Sequence, residues 1–239
     1  WDETEFERLK QSTLSTIAQR NANPNAIAGN VFYKKIYGEN SIMGQAITGT
    51  VESVESITIE DLKDYYNRYF TPSVASIHIA GDMKKETALK SFTGLEKAWS
   101  GRQVDMVSIK VPAAPLKPQL YFVDVPDAKQ SVIMIGSIAM KRNDPDFFPA
   151  TFVNYKLGDG SGSKLFSVLR LEKGYTYGAY SFIMPRSVEG PFVASSSVQS
   201  VFTLESLRLF NEILSSYGKE YSSADLETTR NAMIRGNAG

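Results

Sequence analysis

The sequence contains no cysteine and a single histidine, His78. Without cysteine the chain has neither disulfides nor thiolate metal ligands, and one histidine cannot build a two- or three-histidine zinc site. Its 26 basic residues balance 26 acidic ones, which removes the overall electrostatic attraction to nucleic acid or to an anionic membrane. No apolar run approaches the ~20 residues that span a bilayer. We therefore expect no nucleic-acid partner, no membrane span, and a soluble chain in the cytoplasm or the periplasm.

Motifs for nucleotide binding and for serine hydrolysis are also missing. In "GDGSGSKL", Ser163 stands where the P-loop pattern requires a glycine before Lys164, and Leu165 stands where it requires a hydroxyl. Ser163 also replaces the last glycine of the dinucleotide pattern G-x-G-x-x-G. The nucleophile motif G-x-S-x-G does not occur. Residue patterns by themselves show no complete active site.

A proline-containing segment divides the chain. Residues 101–119 read "GRQVDMVSIKVPAAPLKPQ", and the three prolines in this segment are Pro112, Pro115 and Pro118. Such spacing predicts a semi-rigid, extended linker. We therefore assign residues 1–100 to one domain and residues 120–239 to a second. The chain begins within one helical pattern and ends within another, so we expect a fragment of a longer protein with two partial domains.

Strand patterns come in adjacent pairs, with helical patterns between the pairs. Strands are predicted at 73–82, 120–126, 130–140, 175–185 and 191–200. This order favours an α+β fold with mostly antiparallel sheets and helices packed on one face. His78 lies within the first of these strands, where a packed histidine with one satisfied ring nitrogen is expected.

The segment "KLFSVLRLEKGYTYGAY" places an arginine and a tyrosine seven residues apart across a predicted helix-to-strand turn. Arg170 falls in the last turn of the helix, and Tyr177 falls on the strand. Each has an ordinary structural explanation. An arginine is favourable at a helix C-terminus because its charge opposes the helix dipole, and Tyr177 could be a half-buried strand aromatic.

Two longer segments resemble the pitrilysin family of zinc peptidases, which includes insulin-degrading enzyme and the mitochondrial processing peptidases. One is "YGENSIMGQAITGTVESVESITIEDLKDYYNRYFTPSVASIHIAGDM", and the other is "LGDGSGSKLFSVLRLEKGYTYGAYS". The proline-containing linker separates them at the family's spacing. The resemblance covers nearly the whole chain and implies domains of the LuxS/MPP-like metallohydrolase type.

The resemblance also implies where the zinc of such a peptidase is held. In the family, the catalytic half binds zinc through H-x-x-E-H and a downstream glutamate, but this chain contains no H-x-x-E-H. Thr16 stands at the place of the downstream glutamate, and threonine is a poor zinc ligand near neutral pH. The resemblance therefore implies that this chain is the zinc-free half, binds no metal, and contains no catalytic residue. Zinc would belong to a partner half, in the same chain or in another subunit.

By the same resemblance, Arg170 and Tyr177 bind the backbone of a peptide substrate and stabilise the oxyanion that forms beside the zinc of the partner half. The glycine-rich loop, Gly158, Gly160 and Gly162, corresponds to a loop that contacts substrate in the mitochondrial relatives, although a bare connection between helices explains it equally well. Addition of substrate as a strand is expected in the catalytic half. Two alternatives stay open, a scaffold subunit without a peptidase role and the second part of the catalytic half itself.

Overall fold

The computed structural model describes residues 1–113 and 117–236. Within these residues the chain divides into two units. The first unit contains Trp1–Ile17 and Thr48–Ser108, and the second contains Ala18–Ile47 and the described residues from Ile109 onward. One division, after Ser108, falls inside the predicted linker, whose Pro115 lies outside the described residues. The assignment of residues 1–100 and 120–239 to two domains of one type stays a prediction.

Helices account for most of the regular structure among the described residues. In chain order they are α1 (Glu3–Asn21), α2 (Pro24–Tyr37), α3 (Val51–Ser56), α4 (Ile59–Tyr69), α5 (Lys85–Ser91), α6 (Thr93–Ala98), α7 (Phe147–Gly158), α8 (Lys164–Phe166), α9 (Thr203–Glu220) and α10 (Ser223–Gly236). The strands are β1 (Gln130–Ile138), β2 (Thr176–Ile183) and β3 (Pro191–Gln199). No helix in the described ranges is long and apolar enough to cross a membrane.

All the regular structure described in the first unit is helical. Thr58 caps the start of α4, because its hydroxyl accepts a hydrogen bond from Asp61 N (3.2 Å) while the Asp61 carboxylate accepts one from Thr58 N (2.8 Å). The predicted strand at 73–82 is wrong. A short 3₁₀ turn, Pro72–Val74, is followed by irregular backbone, because no strand among this unit's described residues offers backbone partners. The prediction of a packed His78 is also wrong, since its side chain is exposed.

The second unit is built on an antiparallel sheet in the order β1-β3-β2. The predicted pairing of residues 175–185 with 191–200 is confirmed, since β2 and β3 are antiparallel neighbours. The segment 120–126, predicted as a strand, has no regular structure, because it forms no backbone ladder with another strand of this sheet. The expected α+β class, with an antiparallel sheet covered by helices, is confirmed.

One face of the sheet forms the hydrophobic core with α7, α8 and α9. The buried core residues are Ile133, Leu157, Leu165, Leu169, Ala179, Ala194, Val198, Phe210 and Ile213. Side chains alternate between the two faces of a strand, so the residues between these core positions point to the opposite face. Nonpolar burial on the first face provides most of the stability, which leaves the opposite face free to carry polar and aromatic groups.

Helix α2 reaches the opposite face of the sheet. Near its beginning, Asn25 Oδ1 accepts a hydrogen bond from Ser197 Oγ on β3 (3.0 Å). At its end, the Tyr37 hydroxyl donates to Glu189 O (2.8 Å). Burial raises the pKa of Tyr37, so this phenol stays protonated and able to donate at neutral pH. These two contacts fix α2 over β1 and β3 and leave the β2 side of this face uncovered.

The outer edge of β2 is closed by α7 at Ser181. Asn154 Nδ2 donates to Ser181 O (2.8 Å), and the Ser181 hydroxyl donates to Asn154 Oδ1 (2.7 Å). Gly158, in the last turn of α7, lies so close that a Cβ there would be 2.1 Å from Ser181 N. The absence of a side chain at Gly158 is therefore what allows the helix to approach the strand.

We expect Gly158→Ala to lower the free energy of unfolding by about 1–3 kcal/mol, because the added methyl group would force α7 away from β2. The measurement is urea-induced unfolding. Gly162→Ala is the matched control, since nothing lies within 4 Å of a Cβ at that position, and it should change stability by less than about 0.5 kcal/mol. Equal midpoints for the two variants would contradict this account of the α7–β2 contact.

Candidate functional site

Arg170 is positioned by a π-helical turn. Residues Ser167–Glu172 continue from α8 as a π-helix, where the sequence predicts an ordinary α-helix. Lys173 N donates to Val168 O (3.1 Å), five residues back, and Leu169 is completely buried in the core. A π-turn inserts an extra residue into a helix and is frequent at functional sites. Burial of Leu169 fixes the turn and places its neighbour Arg170 toward β2.

Tyr177 is positioned by a β-bulge at the start of β2. Thr176 pairs with Val198 and Ala179 pairs with Ser196, so Tyr177 and Gly178 together oppose the single residue Ser197. Such a bulge shifts the alternation of side chains and re-aims one of them. Tyr177 consequently points to the same face as Ser197, opposite the core, and is 80% exposed.

Two buried hydroxyls hold the bulge in place. Thr176 Oγ1 accepts a hydrogen bond from Gly178 N (3.1 Å) and donates to Ser197 O (2.6 Å). The Ser196 hydroxyl lies 2.8 Å from Gly178 O and 2.9 Å from Thr176 Oγ1. Backbone groups that the bulge removes from the ladder therefore find partners, as buried polar groups require. The position of Tyr177 depends on this hydroxyl network.

Arg170 and Tyr177 are in direct contact. The Arg170 guanidinium carbon lies 4.9 Å from the centre of the Tyr177 ring, within the range of a cation–π interaction. Arg170 Nη1 also donates to Thr176 O (3.1 Å). No carboxylate in residues 1–113 and 117–236 forms a salt bridge with Arg170. The guanidinium charge is therefore oriented by two neighbours but is not neutralised.

A cavity of about 400 Å³ lies beside this pair, between the N-terminal half of α2 and the face of the sheet opposite the core. Tyr177 and Tyr180 form part of its wall, and Ser195 and Ser197 form part of its floor. Both polar and apolar side chains line the cavity. The π-turn, the bulge and the uncovered face therefore bring a cation, two phenols and a cleft together.

The glycines of the predicted substrate loop differ in their surroundings. Gly158, in α7, is buried against Ser181 of β2. Its contacts serve the packing of the helix on the strand. Gly160 and Gly162 are exposed, and Gly160 adopts a φ of 80°, a left-handed conformation that favours glycine. The two exposed glycines are the part of the predicted loop that a ligand can reach.

The side chains present do not fit a zinc site. In the described ranges, no three histidine, aspartate or glutamate side chains lie close enough together to hold a metal ion. Thr16, which resembles the position of a ligand glutamate, is exposed on α1 and donates to Ser12 O of the same helix (3.0 Å).

Comparison with known proteins identifies this class of domain. The family model described as "Peptidase M16 inactive domain" matches residues 56–233, so the chain belongs to that family, and the resemblance to pitrilysin-type peptidases is confirmed. The matched range includes the proline-containing segment.

Curated relatives include YmxG of Bacillus subtilis, named an uncharacterized zinc protease, which is 26% identical over 186 residues, covering 76% of this chain and 43% of the relative. YmxG of Helicobacter pylori, named a non-peptidase homolog, is 23% identical, covering 73% of this chain and 40% of that protein. The chain thus spans about two-fifths of the length of these relatives.

A crystal structure of a peptidase M16 inactive domain from Pseudomonas fluorescens superposes with a TM-score of 0.91 at 23% identity, covering all of this chain and 57% of that one.

The sequence did not reveal the hydroxyl network that holds the bulge. A signal was present, because a glycine between tyrosines in "YTYGAY" suggests a bulge. The partner hydroxyl of Ser196, however, belongs to a strand about twenty residues further along the chain. Its contact with Thr176 depends on the register of the two strands.

We expect Thr176→Val, which keeps the shape of the side chain but removes its hydroxyl, to lower the free energy of unfolding by about 1–3 kcal/mol. The physical reason is that Gly178 N and Ser197 O both lose their hydrogen bond to the Thr176 hydroxyl. Thr228→Val is the control, because the Thr228 hydroxyl is exposed and donates only to Ala224 O of its own helix. If urea unfolding shows equal losses in both variants, the bulge does not depend on Thr176.

Proposed function

We propose that this chain is the substrate-holding part of a zinc metalloendopeptidase, and that Arg170 and Tyr177 bind the peptide and assist hydrolysis in a catalytic half. The observation that carries the proposal is the contact between an un-neutralised guanidinium and an exposed phenol at the mouth of a cleft. The relatives named zinc proteases support the reaction class. The catalytic half, with its zinc, would be supplied by the same protein or by another subunit.

The chemistry of the pair suits a peptide carbonyl that becomes an oxyanion. Guanidinium carries five N–H donors and stays charged at all relevant pH values. Only the bond to Thr176 O uses one of them within the described residues. The Tyr177 hydroxyl adds one directed donor. Donors that are already oriented toward developing negative charge stabilise the transition state more than the ground state, and therefore raise kcat.

The sheet edge beside the pair supports this division of labour. A peptide that adds to a sheet as a strand needs free backbone N–H and C=O groups on the outermost strand. At Ser181 the outer edge of β2 is occupied by Asn154 and Gly158 of α7. We therefore propose that the peptide adds as a strand to a sheet of the catalytic half. This chain would supply side-chain hydrogen-bond donors from its exposed sheet face. The exposed Gly160 and Gly162 would contact substrate as a secondary element.

A scaffold role without peptidase activity is the second candidate function. The name of the Helicobacter pylori relative, a non-peptidase homolog, favours it. A scaffold does not need an oriented, un-neutralised arginine at an open cleft, so the two candidates differ in what substitution of Arg170 does.

In the full-length protein assembled with its catalytic half, we expect Arg170→Ala and Tyr177→Phe each to lower kcat for peptide hydrolysis ~10²-fold, because each variant loses an oxyanion donor. Zinc content should stay unchanged. Arg68→Ala is a matched control, since Arg68 Cζ lies 5.3 Å from the Tyr69 ring on α4 and repeats the cation–π geometry. Wild-type turnover in both site variants would defeat the proposal and favour the scaffold.

The chain itself should bind no stoichiometric zinc. The expected result follows from its donor set, because a zinc site needs three or four nitrogen, sulfur or carboxylate ligands. The measurement is metal analysis after dialysis of the purified chain against micromolar zinc, with the assembled protein as the positive control. One equivalent of zinc retained by the chain would place it in the catalytic half instead.

A further inference from the structure

Tyr180 lies over Gly178 on the exposed face of β2. A Cβ built on Gly178 would be 2.3 Å from Tyr180 Oη and 2.6 Å from its Cζ. The phenol therefore extends along the strand toward Tyr177 and fills the space that any other residue at position 178 would take. Gly178 lets the Tyr180 ring lie flat beside the site.

Nothing inside the protein requires a tyrosine at this position. In the part of the chain that the structure describes, Tyr180 Oη has no hydrogen-bond partner, and 47% of the residue is exposed. Tyr180 lines the 400 Å³ cavity and also a neighbouring cavity of about 390 Å³. Its ring therefore lines both cavities, on the side of the sheet face that α2 leaves uncovered.

The larger cavity is uncharged. Its wall and floor consist of glycine, serine, threonine, asparagine, glutamine, valine, methionine and tyrosine side chains, and no aspartate, glutamate, lysine or arginine of the described residues lines it. A charged side chain inside the cavity would lose hydration without gaining a counter-charge from the residues that line it. A large aromatic or aliphatic side chain would instead bury apolar surface against Met134, Val132 and the Tyr180 ring.

We propose that this cavity is a subsite for a large uncharged side chain of the peptide, and that Tyr180 determines which side chains it accepts. The inference rests on the proposed function, since Tyr177 is shared by the cavity wall and the Arg170 contact. The carbonyl bound by Arg170 and Tyr177 and the side chain bound beside Tyr180 would belong to neighbouring residues of one peptide. Tyr180 acts as a specificity-determining residue, not as a donor to the reaction.

The test measures binding separately from turnover. Short, fluorescently labelled Gly/Ser-rich peptides carry one varied residue, which is Phe, Leu, Ala, Asp or Lys. Their Kd values are measured by anisotropy with the full-length protein assembled with its catalytic half. We expect the Phe and Leu peptides to bind about 10-fold or more tightly than the Ala, Asp and Lys peptides, a difference typical of apolar pockets.

Substitution of Tyr180 should remove this preference. In Tyr180→Ala the Phe and Leu peptides should bind about 10-fold more weakly, while binding of the Ala peptide is unaffected. Tyr180→Phe should keep the wild-type preference because the aromatic ring is retained. Gly178→Ala should act like Tyr180→Ala, since the methyl group displaces the ring. Thermal unfolding identifies any loss of folding. Tyr65→Ala is the control, as Tyr65 is an exposed tyrosine of the first unit.

The outcomes separate this inference from the proposed function. If Tyr180→Ala keeps the wild-type order of Kd values while Arg170→Ala lowers kcat, the subsite is overturned and the proposed function stands. If no peptide is preferred in the wild type, the subsite is also overturned. If Arg170→Ala and Tyr177→Phe both retain wild-type kcat, the proposed function is overturned together with the subsite that rests on it.

Discussion

The hydrogen bonds of the Thr176 hydroxyl are the interaction on which the site depends. Without a partner for Gly178 N, an extra residue in β2 would leave a buried donor unsatisfied, and regular pairing with β3 would be favoured. A regular strand would turn Tyr177 away from the face that carries Ser197. One hydroxyl, supported by that of Ser196, therefore decides on which face the phenol lies and whether Arg170 can stack on it.

The two faces of the sheet have separate tasks. Burial of residues such as Leu169 and Phe210 on one face stabilises the second unit, and this same burial fixes the π-turn that carries Arg170. The opposite face is only partly covered, because α2 lies over β1 and β3 and leaves β2 open. The hydrophobic core and the candidate site thus use different surfaces of one sheet, which allows the exposed face to keep aromatic and polar groups that a core would exclude.

The proposal that this chain needs a partner for hydrolysis draws on both the family relationship and the geometry. The chain belongs to a family of inactive peptidase domains, and the described residues offer no ligand set for zinc. Its distinctive feature is the positive charge of Arg170, which has no carboxylate partner among the described residues. Such a charge is stabilising when a negatively charged group binds next to it. In the proposed function, peptide hydrolysis generates such a charge on the carbonyl oxygen, and this charge would link the domain physically to a catalytic half.

The sequence by itself determined the α+β class, the capping of α4 by Thr58, the β2–β3 hairpin and the candidate pair Arg170 and Tyr177. These follow from local periodicity, from short turns, or from motifs that resemble a family. Only the tertiary structure decided that segments 73–82 and 120–126 form no strands, that His78 is exposed, and that Gly158 packs against Ser181. It alone revealed the bulge, the π-turn and the position of Tyr180. Each of these depends on contacts between residues distant in sequence, and local propensity does not encode such contacts.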